Sequence, residues 1–407
     1  MKRTSACICG FLLAVAFVSA TAVSCSSPSG STNDRAPVQQ GDHIKIGVYM
    51  PSSGPLAGLA KLQAEGVRAA VQMEGFTGTQ PVKLVFHDQG DSPREFVKML
   101  EGLKEPDQVS AIIACISAGT ASAAADVLRE RSIPLVVTSP RTAGSMPGGD
   151  EPLVRICTTL EDQALAAARF AASTFKARRF GMILAVDDAT CVRLASLFSS
   201  DVVKQGGSIV DVAYVKKNQD PSSDLTHLVG EKPDAIYVPF SSATSLALIA
   251  KARTVEKEMP IIVSNVQPEE ILLSGAGRSL EGVYVLTDFH EQAVTSSRGR
   301  RFIEFFHKNL KKRGYLGSSI ATGADAYFLA VQMIPRTQNK GGQAGMVQGG
   351  QWNSPMLGIN GATPSGAIRH QLCVGRIQKG FMQGATLKYV GQVGLPGLDP
   401  QVDVRAQ

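Results

Sequence analysis

Ile44-Lys-Ile-Gly-Val-Tyr-Met-Pro-Ser-Ser-Gly-Pro-Leu-Ala57 decides how this chain folds. Ile44, Ile46 and Val48 open a strand, and Pro51, Gly54 and Pro55 break it. Residues 59–73 then carry apolar side chains at Leu59, Leu62, Val67, Ala70 and Val71, the spacing of a helix buried on one face. A strand that passes through a turn into a helix is the repeating unit of an open α/β sheet, and such sheets bind ligands just past the carboxyl ends of their strands. The turn that holds Ser53 is therefore a candidate ligand-facing edge. An ordinary tight strand-to-helix turn is the plainer reading.

The same unit recurs downstream. Strand-like stretches at 82–87, 111–116 and 135–139 alternate with helical ones at 92–103 and 120–131. A second series has helices at 162–175, 192–204 and 244–254, and strands at 179–185, 208–214, 234–238, 261–264 and 282–287. Such alternation predicts mostly parallel sheets, and two series predict an α/β fold of two doubly wound, Rossmann-like lobes. Residues 339–351, rich in Gly and Gln, read as loop or weak helix.

Lys2 and Arg3 precede an uncharged stretch, residues 4–24, with an apolar centre at 11–18. This is the shape of a secretory signal, and its centre falls short of the roughly 20 residues of a membrane span. The exit Ala22-Val23-Ser24-Cys25 resembles a bacterial lipobox, with Ala22 where Leu is preferred. In that reading residues 1–24 are removed and Cys25 is lipidated, with 25–43 a flexible tether rich in Ser, Pro, Gly and Gln. The alternative is ordinary cleavage, with Cys25 a bystander.

An apolar content of 44 % supports a sizeable core, and 407 residues suffice for more than one domain. Of the net charge of +6, Lys2 and Arg3 contribute two, and the rest is scattered. The basic residues of 298–313 flank Phe302, Ile303, Phe305 and Phe306, which reads as an amphipathic helix and not a nucleic-acid stripe. Past Cys25, Cys115, Cys157, Cys191 and Cys373 are widely spaced without C-x-x-C, so no zinc site is expected. Paired and free, buried thiols both remain open.

The opening stretch, Asp88-x-x-Asp91-Ser-Pro, Ile113-Ala-Cys-Ile-Ser-Ala-Gly-Thr120, Ile133-Pro-Leu-Val-Val-Thr-Ser-Pro140 and Gly323-Ala-Asp-Ala-Tyr327 occur in this order. Together they resemble the type I periplasmic binding proteins, closest to the branched-chain-amino-acid (leucine-isoleucine-valine) class of ABC-transporter substrate-binding proteins, over residues 44–395. The resemblance implies two lobes joined by three hinge crossovers, near 155–159, 286–290 and 362–368. Lobe 1 would hold 44–156 and 289–364, lobe 2 159–286 and 366–407, with a small-molecule ligand closing the cleft between them.

Within that cleft, the resemblance places the ligand carboxylate at the start of the helix after Ser117, where Ser117, Ala118 and Thr120 present a cap and free N–H groups. A plain N-cap is the alternative. The loop that follows offers Ser139 and Thr142, with Ala143 as the other alignment of the Thr position. Arg141 departs from the pattern and either pairs with a second carboxylate or points to water. In lobe 2 the family's ligand-covering Tyr falls on Cys191, and a second aromatic on Ser241 or Phe240. The acid that meets a ligand ammonium falls near Val266 and Gln267, leaving Asp187, Asp188 and Asn265 as substitutes.

No H-E-x-x-H, P-loop or G-x-S-x-G elbow occurs, so no enzyme activity, cofactor or metal is expected. The resemblance implies an ABC permease as partner, with the lipid anchor holding the chain to a membrane outside the cytoplasm, and no nucleic acid. A ligand-binding sensor for a signalling receptor is the second reading.

Overall fold

Two short inner strands of the first sheet, Ala111–Ala114 and Leu135–Val137, are buried on both faces, as parallel strands covered by helices must be. The computed structural model describes residues 43–54, 56–77, 80–88, 92–103, 108–139, 153–216, 220, 222–240, 243–265, 269–275, 280–309, 316–338, 351–361, 370–379 and 385–395. The first series runs β1 (Ile44–Tyr49), α1 (Ala57–Glu74), β2 (Phe76–Thr77), β3 (Gln80–His87), α2 (Pro93–Gly102), β4 (Ala111–Ala114), α3 (Ala118–Arg131), β5 (Leu135–Val137) and β6 (Leu153–Arg155). Its sheet has the order β2-β3-β1-β4-β5-β6 and is parallel except for the β2–β3 pair.

The second series runs α4 (Leu160–Thr174), β7 (Arg179–Ala185), α5 (Ala189–Lys204), β8 (Ser208–Val215), α6 (Ser222–Gly230), β9 (Ala235–Phe240), α7 (Ala243–Val255), β10 (Ile261–Asn265), α8 (Glu269–Gly275) and β11 (Tyr284–Thr287). After β11 come α9 (Ser297–Asn309), α10 (Ser318–Gln338), and the hairpins β12 (Gln351–Ser354) with β13 (Gly358–Gly361) and β14 (Leu372–Lys379) with β15 (Ala385–Val393). The second sheet has the order β15-β14-β11-β10-β9-β7-β8, and β14 and β15 are its antiparallel members.

The α/β fold with two mainly parallel sheets is the architecture expected from the alternation. Sequence periodicity missed β2, β6, α6, α8, α10 and both hairpins, and it began α3 and α5 a few residues late. The amphipathic helix expected around Phe302 is α9, with Phe302 and Phe306 inward and His307 outward, 2.9 Å from Glu291. Residues 339–350 lie outside the described residues.

Packing assigns the late elements. Phe302, Phe306, Ile320, Tyr327 and Trp352 share one core with Ile46, Val48 and Val67, so α9, α10 and the β12–β13 hairpin cover the first sheet. Leu372, Val374 and Val393 share another with Phe170, Phe198 and Tyr237 on the second. The chain therefore passes from the first sheet to the second after β6, returns after β11, and passes again before β14.

Helix α10 lies against α1 through two glycines. A Cβ on Gly66 would fall inside the contact radius of the Ile320 carbonyl, and one on Gly323 inside that of the Gln63 carbonyl. Two residues on, Asp325 is fully buried and accepts from Ser354 Oγ, Met356 N and Leu357 N, fixing the β12–β13 turn on the helix. Burial pushes its carboxyl up to about 6. Tyr327 Oη donates to the Glu74 carbonyl at 2.7 Å. The motif Gly323-Ala-Asp-Ala-Tyr327 is thus a packing element.

Candidate functional site

Adjacent parallel strands end together, and so do the loops that follow them. β1, β4 and β5 are neighbours, which brings the segments with Ser53, Ser117 and Ser139 to one carboxyl edge of the first sheet. The turn after β1 is set by Gly54 at φ +79, by Ala57 N donating to Gly54 O at 3.2 Å, and by Ser52 N donating to Asp88 at 3.0 Å. Positive φ favours glycine here. Ser53 stands exposed on this turn.

Ser117 is the N-cap of α3: its Oγ accepts from Thr120 N at 3.2 Å and lies 2.9 Å from Thr120 Oγ1. Ala118 and Gly119 begin the helix, where N–H groups have no intrahelical acceptor and the dipole favours an anion. Among the described residues, the nearest atom that a Cβ added at Gly119 would meet, its chain neighbours and helix backbone aside, is Ser117 Oγ at 3.9 Å. Thr120 is fully buried and orients Ser117 from behind. Ser139 is fully buried as well, so its side chain is enclosed. Arg141 and Thr142 lie outside the described residues, as do Ser241 and Cys25.

β10, β9 and β7 are neighbours in the second sheet, so the segments after Asn265, Phe240 and Ala185 share its carboxyl edge. Here the expected roles change. Cys191 is fully buried and its Sγ donates to the Pro239 carbonyl at 3.0 Å, in the core of the second sheet. Its half-buried neighbour Thr190 is nearer the surface. Position 191 is the first residue of α5 that faces inward. Asp188 caps α5, accepting from Thr190 N at 2.8 Å and Cys191 N at 3.1 Å. Asp187 is exposed on the preceding turn.

Two clusters had no signal in the sequence because their members are far apart in it. Thr158, Asp288 and His370 come from the three inter-sheet connections. Thr158 Oγ1 donates to Asp288, and His370 Nε2 lies 3.1 Å from Asp288 and 3.2 Å from Thr158. Beside them Cys157 Sγ donates to the Thr138 carbonyl at 2.7 Å, and burial pushes its thiol well up. Cys115, Cys157, Cys191 and Cys373 are all free and buried. The second cluster is Glu269, at the start of α8, which accepts from Ser318 N and Oγ at the start of α10, with Glu270 taking a 3.2 Å bond from Ser319. Burial first, and then the neighbouring Glu269, hold the Glu270 carboxyl well above its ordinary range. This contact joins the carboxyl edge of the second sheet to a helix packed on the first.

Among the described residues no helix is long and apolar enough to cross a membrane, and no group of three or more His, Cys, Asp or Glu is placed to hold a metal ion.

Comparison with known proteins agrees with this layout. The Leu/Ile/Val-binding protein BraC3 of Rhizobium johnstonii is 28% identical over 211 residues, 50% of this chain and 55% of that protein, so the match spans about half its length. A leucine-binding protein LivK from Thermotoga maritima superposes with a TM-score of 0.68 at 22% identity, over 86% of this chain and 99% of that one. A solute-binding protein from R. palustris, solved with 4-hydroxybenzoate, gives 0.67 at 20% identity, over 86% and 97%. The model of the periplasmic binding protein family matches residues 43–381, and the chain belongs to that family.

Proposed function

We propose that this protein is a lipid-anchored, extracytoplasmic solute-binding component of an ABC importer, and that it takes a small carboxylate with no required α-ammonium. The observation that carries the ligand class is the contrast between Ser117 and Asp188. The first sheet's edge offers a capped helix start where, among the described residues, nothing crowds Gly119, suited to a carboxylate. Asp188 on the second edge is already engaged with two helix N–H groups, and Cys191 faces the core. A buried ammonium without a carboxylate partner is costly. The relatives' names span leucine and 4-hydroxybenzoate, and the second carries a carboxylate and no ammonium.

The cleft would close as a hinge about the connections that carry Thr158, Asp288 and His370, with Glu269–Ser318 as its latch. Lobe 1 would hold 44–156 and 289–364, and lobe 2 159–286 and 366–407. The anchor rests on Cys25 and the polar tether after it.

Isothermal titration calorimetry with benzoate, 4-hydroxybenzoate, leucine and isoleucine tests the ligand class. An aromatic carboxylate bound at least about tenfold tighter than leucine supports it. Leucine bound tighter than either benzoate, and lost in Ser117→Ala, overturns it. For the anchor, a fatty-acid analogue should label the wild type and leave Cys25→Ser unlabelled.

A further inference from the structure

At the opposite, amino-terminal end of the second sheet lies a cavity of about 760 Å³ with no part in the carboxyl edges described above. Two guanidinium groups converge on it. Gly282 sits between them at φ +83, and a Cβ there would lie 3.4 Å from Arg376 Nη2 and 3.6 Å from Arg253 Nη2. The positive φ favours glycine, and the missing side chain leaves the gap between the two arginines open.

Arg253 is held in place, Arg376 rests over an aromatic ring, and among the described residues neither forms an ion pair. Arg253 Nη1 donates to the carbonyls of Lys257 at 2.5 Å and Met259 at 2.7 Å, which fixes its plane; its Nε is buried without a hydrogen-bond partner. Arg376 lies over Tyr284, 5.6 Å from the ring centroid, and Phe175 meets that ring edge-on at 5.1 Å. Across the strands, Arg376 is paired with Tyr284 on one side and with Lys388 on the other. Like charges directly opposite in a sheet repel. Glu258 and Glu281 also line the cavity, yet among the described residues neither guanidinium is within ion-pair distance of a carboxylate. Burial lowers the proton affinity of Arg253; Glu258 works against that and Arg376 adds to it.

We propose that this pocket binds a phosphate-type oxyanion, free or as the end of a phosphomonoester. Paired arginines with a fixed plane match tetrahedral oxyanion geometry through bidentate hydrogen bonds, and the wall of Tyr284 and Phe175 accepts an apolar ester group.

Calorimetry on the full chain, near neutral pH and at constant ionic strength in chloride, would use inorganic phosphate and phenyl phosphate as probes. Binding of either is expected, weakened about tenfold or more in Arg376→Gln and strengthened in Glu281→Gln. Arg376 is exposed, so its variant should keep the fold; an unchanged thermal midpoint checks this. Tighter phenyl phosphate identifies an organic phosphate, and equal affinities the free anion. No heat beyond the chloride control for either probe overturns the proposal. So does binding unchanged in Arg376→Gln, or binding lost in Ser117→Ala, which would place the anion at α3 instead.

Discussion

Ser117 and Asp188 stand at corresponding places, each capping the helix that follows a strand at the carboxyl edge of its sheet. Around Ser117 the helix start is built from Ala118 and Gly119, and among the described residues nothing crowds Gly119. Around Asp188 both carboxylate-accepted N–H groups belong to its own helix, and the next side chain, Cys191, is locked against the Pro239 carbonyl. The same local motif thus leaves a donor surface on one edge and a closed one on the other. Helix capping marks where an anion can sit; a serine cap leaves that place uncharged, whereas the Asp188 carboxylate already puts a negative charge there.

Several substitutions break or sharpen that contrast. The largest effect is expected from Ser117→Ala, which removes one hydrogen bond to a charged ligand and weakens carboxylate binding by about 10–100-fold in calorimetry. Ser117→Asn keeps the cap and should keep the fold's stability, so affinity lost in both variants assigns Ser117 to the ligand and not to α3 alone. Asp188→Ala comes next: the loss of the cap lowers unfolding stability by about 1 kcal/mol in urea, with ligand affinity unchanged. A large affinity loss there would show that the second edge holds a ligand group after all. Cys191→Ala should lower stability by about 1 kcal/mol through a small core void, again without changing affinity. Asp187→Asn is the smallest, within about 0.5 kcal/mol in stability and without effect on any ligand, since the side chain is exposed on a turn.

A pH experiment adds to the comparison at the second connection. Burial holds His290 below its ordinary value of 6.5, against its bond to the Leu387 carbonyl and the nearby Glu291. The unfolded chain then binds this proton more readily than the folded one, so stability falls as pH drops through 6.5 toward the lowered value. Unfolding midpoints across that window should slope less in His290→Gln.

Much of the first edge was legible because its signals are local. Ser117-Ala-Gly-Thr120 places a capping residue, two small residues and the end of an apolar strand within a single turn, and short-range geometry does the rest. Ser139 is enclosed, and that burial is a matter of tertiary packing that no local pattern carries. The burial of Cys191 was not legible, because it rests on the rotation of α5 about its axis, which packing against the β9 segment sets.

From the sequence alone came the α/β alternation, the export signal and tether as expectations, the helix starts and the family's ordered motifs. These follow from periodicity and from hydrogen bonds that span a few residues. Tertiary structure decided the rest: Gly66 against Gly323, Asp325 under the β12–β13 turn, Thr158 with Asp288 and His370, Glu269 with Ser318, and Arg253 beside Arg376. Each joins residues separated by tens to hundreds of positions, and several serve opposite ends of the molecule. No local pattern specifies such a pair, because its partners meet only once the sheets are stacked with their helices and the chain has crossed between them.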